Sequence, residues 1–471
     1  MSDPKRIHMI AICGTGMAAL AGLLKKAGHT VTGSDTQIYP PMSTLLEEAG
    51  IPCKVGYDPA HIEPTTDLVI VGNAVGKTNP EVLAVQERGV PYFSMAAALG
   101  DFFLKEKQSL VVAGTHGKTT TSSLLAWVLA SAGVDPGMMI GGWVKNFNSN
   151  HRLGKGDFFV VEGDEYDTAF FDKGPKFLHY RPYHAILTSI EFDHGDIYPD
   201  LAAIKQAFRR FVELLPKEGL LVVAAGDPAI AEVTKEIACR VETYGIDTPA
   251  DWQADRLEMT GERLSFQVSY QGKMLGTIRS PLLGRHNAMN TLAVIALAHQ
   301  VGLSWEAISE GIGRFEGVKR RQEIVGSVAD ILVIDDFAHH PTAIAETLAA
   351  LRLRYPRRRL WAVFEPRSAT SRRNVFQKEF AASFASADGV VIADLFAPEK
   401  IPAEHRLDPC RIVTDLAAAG KPAWSLSTPD QIVDLLLEQV VPGDLVCVMS
   451  SGGFGGIHGK LIAGIGKKYH V

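Results

Sequence analysis

The segment that most constrains this chain is Ala113-Gly114-Thr115-His116-Gly117-Lys118-Thr119-Thr120-Thr121. It follows an apolar run, Leu110-Val111-Val112-Ala113, and opens a helix-like stretch that continues to Ala132. Strand, glycine-rich turn and helix in that order make a phosphate-cradling loop, which commits the surrounding chain to an α/β sheet. Glycines let backbone N–H groups reach phosphate oxygens, and the helix N-terminus adds the positive end of a dipole. Lys118 supplies a point charge for β- and γ-phosphates, and the Thr119 hydroxyl can hold Mg²⁺. The loop is also short. The usual pattern, Gly-x-x-x-x-Gly-Lys, places more residues between its glycines, whereas Gly114 and Gly117 enclose only Thr115 and His116. That shortening argues against ordinary GTPases and motor ATPases and for a narrower ATP-using group.

The rest of the chain supplies context. Its 471 residues suit about two to four domains. A net charge of −6 gives no field for nucleic acid or an anionic membrane. The five cysteines include no CxxC pair, so they read as thiols in a reducing compartment and not as a disulfide framework or zinc site. The N-terminal apolar run is too short for a signal-peptide core, and no apolar run is long enough to span a bilayer, so a cytoplasmic protein is expected.

Three α/β domains are expected, over residues 1–106, 107–317 and 318–471. In the first, a strand over 7–12 leads to Gly14-Thr15-Gly16-Met17, with Ala19 in the place of a third glycine, and a second strand ends at Ser34-Asp35. This is the layout of a Rossmann-like nucleotide site, with a further strand delivering Asn73 to the same crevice. The second domain carries the phosphate loop, strand candidates at 158–161, 185–188 and 219–223, and alternating residues over 251–283 that suggest antiparallel hairpins. The third has apolar runs at 331–334, 360–364, 389–392 and 444–449, each ending in polar or glycine residues where open α/β sheets place their sites. The basic stretch 352–359 is interrupted by Tyr355-Pro356 and reads as a solvated helix end.

Two acidic constellations follow strands of the second domain. Glu162, the first acid after the 158–161 strand, is the expected Mg²⁺ ligand, since Mg²⁺ takes carboxylate and phosphate oxygens together. His194, within Glu191-Phe192-Asp193-His194-Gly195-Asp196, sits where a second cation or a phosphate could be held. A dinucleotide-dependent oxidoreductase would leave the phosphate loop and Glu162 without a task.

Segments 113–120, 162–167, 191–196, 283–290 and 335–341 together resemble the Mur ligases, bacterial ATP-dependent enzymes that attach amino acids or peptides to UDP-N-acetylmuramate. The resemblance covers nearly the whole chain. It implies a Rossmann-like UDP-binding domain, a central ATPase domain and a C-terminal Rossmann-like domain, with ATP and Mg²⁺ as cofactors. It places the UDP-sugar at Gly14, Thr15, Gly16, Met17, Ser34, Asp35 and Asn73. ATP is expected at residues 114–120, with His286 and Asn287 on the adenine side and Arg321 and Asp336 arriving from the third domain after closure. Thr119, Glu162 and His194 would hold Mg²⁺, while Lys118, His194 and His339 would be catalytic, His339 near the acceptor amine.

Residues 39–46, 365–370 and 450–458 shift the match, within the family, from the branch that adds L-alanine to one that adds the murein tripeptide L-alanyl-γ-D-glutamyl-meso-diaminopimelate during cell-wall recycling; L-alanine is the alternative acceptor. Arg367, Ser368 and Thr370 would face that peptide. Arg367 can grip a carboxylate bidentately, and Gly452 and Gly453 would leave room for bulk. Some Mur ligases carry a carbamylated lysine in an Ala-Lys motif; Ala207-Phe208 stands in that place, so no such modification is expected, even on Lys205.

Overall fold

Runs of β-branched and aliphatic residues flanked by helices favour parallel sheets covered on both faces, and three such sheets organise the chain. A computed structural model of the protein describes residues 3–260 and 262–470. The N-terminal sheet is wholly parallel, in the spatial order Cys53–Val55, Thr30–Asp35, Arg6–Ile10, Leu68–Val71, Tyr92–Ser94. Its topological switch lies between Arg6–Ile10 and Leu68–Val71, the crevice where such sheets bind ligands. Gly14 leads into helix Thr15–Lys26 at that point.

The central sheet has ten strands. The phosphate-loop strand Gln108–Ala113 lies between Phe158–Gly163 and Pro182–Leu187, parallel to both. Three consecutive carboxyl ends therefore converge. The register pairs Val112 with Glu162 and Ala113 with both Gly163 and Leu187. The alternating stretch forms the antiparallel strands Trp252–Thr260, Arg263–Tyr270 and Lys273–Ser280 at one edge. At the other edge lie Gly137–Val144 and Ser149–Arg152, which no sequence pattern had suggested.

The C-terminal sheet runs Glu323–Val328, Ile331–Asp336, Leu445–Met449, Leu360–Phe364, Gly389–Ala393, Ala423–Leu426, parallel except for the first. The basic stretch is less solvated than expected: Arg352 pairs with Asp388, Arg358 with Asp330 and Arg359 with Asp444. These carboxylates sit on neighbouring elements whose approach local sequence does not report.

The cores are unequal in extent. One apolar core runs continuously through the first two domains, from Ile7 and Leu20 to Leu110 and Phe208. The third domain has its own two cores, one on each face of its sheet. Among the described residues no helix is long and apolar enough to cross a membrane.

Candidate active site

The phosphate loop is bent by two glycines in left-handed backbone. Gly114 has φ 131° and Gly117 φ 80°. A Cβ on Gly114 would lie 2.2 Å from Thr188 Oγ1, and one on Gly117 2.5 Å from Asn290 Oδ1, so only glycine fits either place. The loop is braced from the next strand end. Thr115 N–H donates to the Ser189 carbonyl (2.9 Å), the His116 N–H to Ser189 Oγ (3.1 Å), and the Thr188 hydroxyl to the His116 carbonyl (2.5 Å).

At the start of helix Lys118–Ser131, the Lys118 ammonium donates to both Glu165 oxygens (3.0 and 2.9 Å) and to the carbonyls of Gly114 and Thr115. Burial works against the Lys118 charge, but Glu165, Asp164 and Glu162 together hold its pKa above the ordinary lysine value. Thr119 Oγ1 donates to Glu162 Oε1 (2.8 Å), and Gly141 N–H holds the other Glu162 oxygen (2.7 Å). A carboxylate and a hydroxyl side by side beneath a phosphate loop are the hard oxygen donors that Mg²⁺ prefers.

Glu165 is the residue that sequence reasoning missed. In sequence it is only one acid in the run 162–167, without the strand-end position that marks Glu162. In the structure Glu165 is buried, bonded to Lys118 and also to His194 Nε2 at 2.9 Å, while Tyr198 donates to its carbonyl at 2.7 Å. His194 has φ 55°, and its ring stacks tilted on Tyr166 at 4.0 Å. Burial disfavours the charged imidazolium, yet the bond to Glu165 and the nearby Asp193 raise the His194 pKa above its usual value. Asp193 in turn lies 4.0 Å from His339 Nε2. Burial pushes the His339 pKa down, and its Nδ1–H donates to the Phe337 carbonyl at 2.9 Å.

The third domain closes over the loop. Arg321 Nη2 donates to Thr119 Oγ1 across the domain boundary at 3.2 Å. Asp336 accepts from the Gln322 and Ala338 N–H groups (2.7 and 2.8 Å), so it shapes the loop that carries Arg321. Burial raises the Asp336 pKa despite the Arg321 charge. A cavity of 530 Å³ is lined by His116, Gly117, Thr120, His286, Asn287, Arg321 and Asp336, among others, large enough for a nucleotide. His286 Nδ1 lies 3.3 Å from Glu346 of the third domain. Asn287 directs its amide to the Leu283 carbonyl, just ahead of its own helix Arg285–Gln300.

The expected sugar-binding residues divide. Gly14 caps helix Thr15–Lys26 at the switch point, Thr15 and Gly16 open that helix, and exposed Asn73 reaches the Asp167 carbonyl of the central domain at 3.5 Å. Three others have internal roles. Met17 is packed into the core. Ser34 is fully buried and donates to Glu81. Asp35 accepts from the Cys13 and Gln37 N–H groups (2.9 and 3.0 Å) and thereby fixes the turn before Gly14.

Among the residues expected to face the acceptor, Arg367 lies against the Phe396 ring at 3.7 Å and 3.5 Å from Glu365. A Cβ on Gly452 would fall 2.0 Å from Arg367 Nε, while the space beside Gly453 is open. The room at Gly452 is thus filled by Arg367 itself, a correction to the expectation that both glycines clear space for substrate. Ser368 Oγ bonds Ser371 (2.9 Å), and Thr370 Oγ1 accepts from Gly195 N–H (3.2 Å), which ties the loop after Pro366 to the His194 turn. Lys205 pairs with Glu232 at 2.6 Å, an ordinary helix-surface ion pair.

A phosphate loop backed by oxygen donors and closed by an arginine from a separate lobe, with a nucleotide-sized cavity beside it, defines a multidomain nucleotide-using transferase or ligase. Comparison with known proteins names the family. The sequence matches the Mur ligase family catalytic domain over residues 6–107, the Mur ligase middle domain over 112–298 and the glutamate ligase domain of Mur ligases over 320–452. The chain belongs to the Mur ligase family, ATP-dependent enzymes that form C–N bonds.

It is 43% identical over 98% of its length to the UDP-N-acetylmuramate–L-alanyl-γ-D-glutamyl-meso-2,6-diaminoheptandioate ligase of Escherichia coli, covering 99% of that protein. It is 34% identical to the UDP-N-acetylmuramate–L-alanine ligase of Alkaliphilus metalliredigens, over 95% of each chain. Among solved structures, a murein peptide ligase from Psychrobacter arcticus superposes with a TM-score of 0.73 at 36% identity, covering 98% of this chain and 99% of that one.

Proposed function

We infer that this chain joins L-alanyl-γ-D-glutamyl-meso-diaminopimelate to the lactyl carboxylate of UDP-N-acetylmuramate, with ATP cleaved to ADP and phosphate. The observation that carries this reading is the 43% identity, end to end, with the tripeptide ligase of Escherichia coli, against 34% with an alanine ligase.

A carboxylate is a poor electrophile, so it first attacks the ATP γ-phosphate and becomes an acyl phosphate, and ADP departs. The free amine of the peptide's alanine then attacks the acyl carbon, and the C–O bond to phosphate breaks. Lys118 and the loop N–H groups hold the β- and γ-phosphates, and Arg321 adds charge from the closing domain. Thr119 and Glu162 would hold Mg²⁺ through hard oxygen donors, and the ion when bound would neutralise charge between phosphate and carboxylate; His194, whose Nε2 bonds Glu165, is a poorer partner for that ion. His339, held with a lowered pKa, is neutral near pH 7 and can take a proton from the attacking amine. Arg367 meets a carboxylate of the peptide. Closure excludes the water that would hydrolyse an acyl phosphate.

The test supplies ATP, Mg²⁺ and UDP-N-acetylmuramate and compares free L-alanine with the tripeptide by phosphate release. A higher kcat/KM with the tripeptide is expected; preference for L-alanine would overturn the acceptor assignment.

A further inference from the structure

His116, Glu191 and His340 come from three separate segments and two domains. His116 is in the phosphate loop, Glu191 follows the strand Pro182–Leu187, and His340 caps helix Pro341–Arg354 of the third domain. Their donor atoms all lie within 4.8 Å of one another. Glu191 Oε2 is 3.3 Å from His116 Nε2 and 3.7 Å from His340 Nδ1. Ligands bound at Zn–N and Zn–O distances of roughly 2.0–2.2 Å in a tetrahedron stand about 3.3–3.5 Å apart, so two of the three edges are nearly made.

The surroundings also fit. His340 Nε2–H donates to the Phe192 carbonyl (3.3 Å), which leaves Nδ1 unprotonated; its lone pair accepts a long bond from the Thr342 N–H (3.3 Å), which a cation at Nδ1 would displace. A backbone carbonyl on the far nitrogen is the usual way a ligating imidazole is held in its tautomer. Thr342 Oγ1 donates to Glu191 Oε2 (2.8 Å) and so orients the carboxylate. His116 and Glu191 both line the 530 Å³ cavity, which leaves a water or nucleotide oxygen free to complete the fourth position.

We propose that His116, Glu191 and His340 form a binding site for a zinc-class divalent cation that bridges the central and C-terminal domains. Two imidazoles and one carboxylate suit zinc far better than Mg²⁺, which keeps to oxygen ligands. The site is therefore separate from the pair Thr119–Glu162 and selects a different ion. A cation held there fastens the third domain to the phosphate loop in the closed arrangement.

The test is zinc titration of the full chain, freed of metal by chelator, in competition with a chromogenic chelator. His340→Asn keeps a side chain able to cap the helix while removing the imidazole, and His116→Asn removes the ligand on the other domain. Each variant is expected to weaken one zinc equivalent by about tenfold or more, and His194→Asn is expected to leave that equivalent in place. Thermal unfolding checks that each variant is folded. Wild-type zinc affinity in both variants overturns the site, and loss in only one of them overturns its bridging character.

Discussion

Helix Thr15–Lys26 and the turn Gly100–Leu104 press apolar side chains into the central domain, and the core there is continuous. Gly16 brings Met95 and Met139 within van der Waals reach of its backbone, and Gly100 packs against the His179 carbonyl. The C-terminal domain meets the same central body largely through polar atoms, in the contacts Arg321–Thr119, Thr342–Glu191, Gly195–Thr370, His286–Glu346 and Lys145–Glu323. The two joints have different physics. Apolar surface, once buried, is costly to re-expose, roughly 25 cal/mol per Å². Polar contacts exchange for water at small net cost, so a polar joint opens and closes with its ligands. The first joint fixes the N-terminal domain to the central one, and the second has the polar make-up of a hinge.

Acid should break the first joint. His151 is buried under Gly22 of helix Thr15–Lys26, and burial, with Lys26 nearby, lowers its pKa from 6.5 to about 4. The folded state thus prefers neutral His151, and the unfolded chain takes up the proton first as pH falls. The stabilisation is complete above pH about 6.5 and is lost progressively down to about 4, up to about 3 kcal/mol in all. Thermal unfolding followed across that window should show the fall, and His151→Gln should flatten it. Gly100→Ala tests the same joint by packing. The new methyl would lie 2.4 Å from the His179 backbone carbonyl, and a loss of about 1–3 kcal/mol is expected from the denaturation midpoint.

At the hinge, effects should fall on kinetics. Arg321→Ala removes a charged hydrogen bond and should lower kcat/KM for ATP by roughly 10- to 100-fold, with a smaller thermal shift than Gly100→Ala. Lys145→Ala loses a partly exposed pair with Glu323 at 2.9 Å, and its KM for ATP should rise less than about fivefold. A large stability loss from either hinge variant, or none from Gly100→Ala, would dissolve the contrast between the joints.

What could be read from the sequence was mostly local. The order strand, glycines, Lys118-Thr119 and helix fixed the phosphate loop, and Glu162 stood at a strand end that pairing then placed beside Thr119. The alternation over 251–283 similarly announced its hairpins. Partners distant in sequence were hidden. Ser34 looked like a ligand residue until Glu81, 47 positions on, took its hydroxyl. Gly452 looked like open space until Arg367 folded across it. Glu165 was unremarkable among acids until Lys118 and His194 converged on it.

Glu165 gives Lys118 a resident counter-ion, and this changes what phosphate binding is. Taking the ammonium requires displacing a carboxylate that already makes two short contacts with it, so binding is an anion exchange. Singly charged competitors gain little by such a swap, while a triphosphate brings enough charge to drive it. For a phosphate that takes Lys118, charge density would then be weighed before any contact with base or sugar.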